Sequence, residues 1–149
     1  GAFESAAEGF AAVGDERGRG EAVLWLGLYH QVVRSDSLAT LPYLESARDV
    51  ASDQRDDLTL SYAERHLGFH AWEAGRDADA RLHLERSVEL RRALDWPAGT
   101  AAALLALAEF DATHAEPAMA DQHLGEARAL AVGAGARGVI AWIDEVENA

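Results

Sequence analysis

Three short segments of this chain match one another at a fixed spacing, and that spacing restricts the fold more than any other feature. Leu44-Glu45-Ser46-Ala47, Leu84-Glu85-Arg86-Ser87 and Leu124-Gly125-Glu126-Ala127 share a constant offset of 40, and Val50, Leu90 and Leu130 continue the match at the next apolar position. His83 and His123 coincide, and Asp77 falls opposite Pro117. Upstream, Leu67-Gly68 meets Leu107-Ala108 at the same offset, whereas Leu26-Gly27 meets Leu67-Gly68 at 41, which places a single position of slack in the first connection. Self-similarity at such a period marks stacked units, none of which can bury its apolar face alone.

Composition decides what repeats. Alanine and leucine dominate, only three prolines occur and β-branched residues are sparse, so helix propensity is high almost everywhere. We expect an all-α, right-handed solenoid of antiparallel helix pairs, about three and a half 40-residue repeats with a C-terminal capping helix, forming a single domain over 1–149. The pairs fall at 21–34 with 38–52, 57–74 with 78–93, and 98–114 with 117–132. Turns are signalled by Arg34-Ser35-Asp36, Gly75-Arg76-Asp77 and Ala115-Glu116-Pro117, where Asp suits an N-cap and Pro the first helical position. Pro42 lies well past the position matching Asp77, so its helix is expected to begin late, near Thr40, or to kink. Phe3 to Val13 reads as the second helix of a truncated earlier pair, because Phe3 precedes Gly27 by the same interval that separates Leu44 from Gly68. Gly138 to Glu147 reads as the cap. With Gly1 first and Met119 the only methionine, the chain is expected to be a domain excised from something longer.

Leu67-Gly68 followed by Ala80 and Leu84, and Leu26-Gly27 followed by Ala39 and Tyr43, resemble the tetratricopeptide signature. Departures are Glu64 and Val23 in place of its Trp, Ala71 and His30 in place of its Tyr, and Ala108 in place of the small Gly. The 40-residue unit, with Val13-Gly14-Asp15-Glu16-Arg17-Gly18 leading into a first helix, is similar to repeats of large bacterial signalling ATPases and transcriptional regulators. In this motif a small residue lets the partner helix approach closely while leucine fills the gap beside it.

The formal charge of −13 repels phosphate backbones, so this segment is not expected to bind nucleic acid. Its longest strongly apolar run, Ala22 to Leu28, falls far short of the ~20 residues of a membrane span. There is no cysteine for a disulfide or a thiolate metal site, and a cytoplasmic location is expected. All 13 basic residues are arginine, a bias expected of a GC-rich bacterial coding sequence.

No catalytic residue, metal or cofactor is nominated. His66, His70 and Glu73 share a helical face, but Leu67 stands where a zinc protease carries its base, and spacing supplies no third ligand. Gly14, Gly18 and Gly20 precede a helix with no strand before them, a weak nucleotide signal. The acid run from Asp53 to Asp57 reads as solvated turn and cap. The helix over 57–74 carries two apolar stripes. Leu60, Ala63, Leu67, Ala71 and Ala74 should face its hairpin partner, and Leu58, Tyr62, Phe69 and Trp72, with Arg65 among them, form the second. First helices of tetratricopeptide solenoids line the concave surface. That resemblance makes Leu24, Leu28, Gln31, Tyr62, Arg65, Phe69, Trp72, Leu105 and Glu109 the candidate binding residues, with filling of the seam between repeats the other reading. The function expected is a protein- or peptide-binding scaffold or regulatory module, whose partner is another protein or another domain of the same one, with self-association left open. A small-ligand sensor with a closed concave pocket is the alternative.

Overall fold

The computed structural model describes residues 1–148, and helix accounts for 84% with no strand among them. Eight helices follow one another along these residues: α1 Ala2–Ala12, α2 Glu16–Leu28, α3 Ser37–Asp53, α4 Asp57–Glu73, α5 Asp77–Ala93, α6 Pro97–Thr113, α7 Pro117–Gly133 and α8 Arg137–Glu147. A π-helical turn, Tyr29–Val33, prolongs α2. The helices pack in consecutive pairs, the all-α helical-repeat architecture that the period predicts.

The metre of the repeat is set in the turns. One residue in each connection adopts a left-handed backbone: Gly14, Ser35, Arg55, Gly75, Asp95, Ala115 and Gly135. From Ser35 onward these recur at a constant interval of half the repeat, so two helices with their turns make one unit. Four of the seven are not glycine, and each carries a steric cost that packing on either side must outweigh. Asp15, Asp36 and Asp56 cap α2, α3 and α4 by accepting from the amides of Gly18, Ala39 and Thr59. Pro97 and Pro117 open α6 and α7, where their missing N–H costs nothing. Asp77 opens α5 as its first residue and is not its cap.

Two boundaries depart from expectation. α2 begins at Glu16 and not near Glu21, because Asp15 caps it and its glycines are packing positions. A Cβ on Gly18 would stand 2.6 Å from the Phe10 ring, and one on Gly20 2.7 Å from Val50 Cγ1. α3 begins at Ser37 and not near Thr40. Pro42 sits inside it. The carbonyl deprived of a donor belongs to Leu38, whose side chain is 90% exposed, where water can supply the bond.

The chain forms two compact units, Gly1–His83 and the part from Leu84 onward, with α5 crossing the boundary. In the first, α1 packs on α2, α2 on α3 and α3 on α4, and the first helices α2 and α4 also touch. Val23, Leu24, Leu44, Ala47, Ala63 and Leu67 form its core, with Leu28, Leu41, Tyr43 and Tyr62 against it. A Cβ on Gly27 would stand 2.7 Å from Leu44 Cδ2 and 3.3 Å from Tyr43 Cβ, which is the close approach expected of the Leu-Gly pair. Asp56, read from sequence as part of a solvated turn and cap, does cap α4 but is buried, and receives Arg17 Nε at 3.1 Å and Thr59 Oγ1 at 2.8 Å. In the second unit α6 packs on α7 and α8, and α7 on α8. Arg128 of α7 reaches Asp144 and Glu147 of α8 at 2.7 and 2.6 Å; hydrogen bonds to Glu147 first and Asp144 second raise its pKa.

The repeated histidines have repeated work. His83 Nδ1 meets Glu64 Oε2 at 2.6 Å, and His123 Nδ1 meets Asp111 Oδ2 at 2.7 Å. Both carboxylates are fully buried on the first helix of the histidine's own pair.

Candidate functional site

The groove of interest lies in the first unit, against the C-terminal half of α4 and the π-helical turn. Gln31, Val32, His66, Phe69, Trp72 and Glu73 line an open volume of about 440 Å³. A smaller recess of about 80 Å³, lined by Gln31, Ser35, Ser37, Thr40, His70 and Glu73, shares two residues with it.

Periodicity explains α4's part. His66, Phe69, His70 and Glu73 lie at helical spacings of three and four and so fall along one face. The stripe expected to face the hairpin partner is buried at Leu60, Ala63, Leu67 and Ala71, while Ala74 lies past the helix end and is exposed. Gln31 arrives from the π-helical turn. Its amide nitrogen donates to the His66 carbonyl at 3.1 Å and its amide oxygen lies 2.6 Å from His66 Nδ1, which therefore carries the proton. His70 has the opposite tautomer. Its Nε2 donates toward the Ser37 carbonyl at 3.2 Å, with Ser37 Oγ at 3.0 Å, and its Nδ1 faces Arg76 Nη2 at 3.4 Å. Both imidazoles are thereby locked to the protein as fixed walls. Among the described residues no group of three or more His, Cys, Asp or Glu is placed to hold a metal ion.

The sequence-derived candidates divide. Gln31, Phe69 and Trp72 line the groove, the two rings half-buried. Leu24 is 2% exposed in the core, and Leu28 and Tyr62 pack against that core. Arg65 lays its guanidinium 5.1 Å from the centroid of its own Phe69 ring and does not line the groove. Leu105 and Glu109 belong to α6 in the second unit, Leu105 buried and Glu109 half-buried. Sequence reasoning missed Val32 and the recess residues Ser35, Ser37 and Thr40, because nothing local announces a contact between Gln31 and His66. A second depression of about 420 Å³ lies beside Phe3, Leu26 and Tyr29.

No helix among the described residues is long and apolar enough to cross a membrane. No protein-family model matches this chain, and no curated protein matches its sequence.

Proposed function

We propose that this chain is a binding module of tetratricopeptide type, a regulatory or scaffolding part of a larger cytoplasmic bacterial protein. It holds a peptide, from a partner or from its own chain, in the groove on α4. The observation that carries this reading is the half-exposed pair Phe69 and Trp72 beside the fixed polar groups of Gln31 and His66, in an open cleft. Aromatic side chains so placed are where interface energy concentrates, and truncating one costs about 2 kcal/mol or more. The paired helices and the fit of Gln31 to His66 support a presented surface. The volume also falls in the range of about 300–1,000 Å³ typical of small-molecule sites, which keeps a ligand sensor as the second reading.

Selection of a random dodecapeptide display library on the purified chain tests the first reading. Enriched peptides should lose about tenfold or more in affinity against Trp72→Ala, since a hot-spot truncation costs more than one such factor. They should also weaken against Val32→Ser, whose parent residue is 68% exposed, with the melting temperature held. Peptides indifferent to both variants place binding elsewhere. If Phe69→Ala and Trp72→Ala both fall steeply in melting temperature while Val32→Ser binds as the parent does, the rings are core.

A further inference from the structure

We infer that the occupant of this groove is cationic: a peptide segment that sets an arginine or lysine against Glu73 and an apolar side chain against Val32 and Trp72. The inference rests on the groove being the binding site, and adds to it the sign of the ligand. Among the side chains that line the groove and its recess, Glu73 is the one titratable group apart from the two locked histidines. It is exposed and borders both volumes.

Three further fields point the same way. Glu73 is the last residue of α4, so the negative end of that helix's dipole adds to its charge. The π-helical turn that contributes Gln31 and Val32 is likewise the C-terminal end of its helix. Trp72 lines the same volume, and an indole ring attracts a guanidinium or ammonium group. The countervailing helix N-terminus, that of α3, is answered by Asp36, which accepts from the Ala39 amide at 3.0 Å. Two arginines stand near these volumes, and the protein engages both: Arg65 stacks over the Phe69 ring, and Arg76 pairs with Asp79 and meets His70 Nδ1. Beyond the groove, a chain of net charge −13 draws cationic partners in and repels acidic ones.

The same dodecapeptide library supplies the test, read now for composition and for dependence on Glu73. Enriched peptides should carry Arg or Lys next to an apolar residue. They should bind Glu73→Gln about fivefold more weakly at low salt, with the difference shrinking as salt is raised. Glu73→Arg should weaken them about tenfold or more and, selected afresh, should enrich acidic peptides. Uncharged or acidic peptides that lose binding to Val32→Ser yet bind Glu73→Arg as well as the parent would overturn the cationic assignment and leave the groove standing. Peptides unaffected by both Val32→Ser and Trp72→Ala, or no enrichment at all, would overturn the groove and the assignment with it.

Discussion

α4 and α6 occupy the same place in successive repeats, yet they solve burial in opposite ways. α6 is buried on nearly every side, from Gly99 through Ala108 and on to Phe110 and Asp111, and most of those residues are alanine and leucine. A helix apolar all round needs cover all round. α4 buries Thr59, Ser61, Glu64, His66 and His70 as well, several of them on named partners, and leaves Phe69 and Trp72 half-exposed. The lesson is that a repeat fixes where a helix lies but not what it is for. Position 64 is a carboxylate held by His83, and its counterpart one repeat further on is Leu104.

That pair of positions gives the largest expected effects. Leu104→Ala should cost about 3 kcal/mol by leaving a cavity in a closely packed helix. Glu64→Ala should cost nearly as much for a different reason: it removes a fully buried carboxylate and takes from half-buried His83 the partner that its Nδ1 meets at 2.6 Å. Replacing both Glu64 and His83 by leucine should then recover most of the Glu64→Ala loss, as chemical denaturation would show. If the double variant is no better than the single one, Glu64 is held by more than His83, and the two helices are less alike than their register implies.

Next in size is the close helix contact of the first unit. Gly27→Ala should destabilise by about 1–3 kcal/mol, because the added methyl would meet Leu44 and Tyr43. Gly125→Ala, where a Cβ meets nothing within 4 Å, should be neutral or slightly stabilising. Equal melting temperatures for the two would dissolve the distinction between packing glycines and ordinary ones. The smallest effect concerns the turns. Ala115→Gly should stabilise by about 0.5 kcal/mol, since alanine sits there at φ 59° and glycine does not resist that region. A fall in stability would mean that chain entropy outweighs the relief of strain.

Much of this architecture can be read from residue spacing. The repeat matches, the Asp and Pro start signals and the Leu-Gly contact are all local, and each acts through backbone or nearest-neighbour physics. Spacing misleads where one residue type serves two purposes. Gly18 and Gly20 resemble a loop because glycine frees a backbone, but here they admit Phe10 and Val50. Pro42 resembles a boundary because proline removes a donor, but the carbonyl it deprives lies where water reaches. The groove is legible in part. Phe69 and Trp72 follow from helical spacing and Gln31 from the resemblance to tetratricopeptide solenoids, whereas Glu73 draws notice only as a metal ligand. The embrace of Gln31 and His66 joins two helices of different repeats, and no periodic signal reaches across such a distance.

The π-helical turn at Tyr29–Val33 has a consequence for how this chain tolerates change. An α-helix is a ruler that rotates as it measures, and each inserted residue swings everything beyond it by about 100°. The step from Gly14 to Ser35 is longer by a single position than every later step between left-handed turn residues, so the odd residue in the count is lodged inside this widened turn. Lodged there, it lengthens the chain without spinning α3 out of phase with its neighbours. The same insertion into α4 or α6 would turn buried faces outward. Length variation in this chain therefore has one natural address, and that address borders the groove.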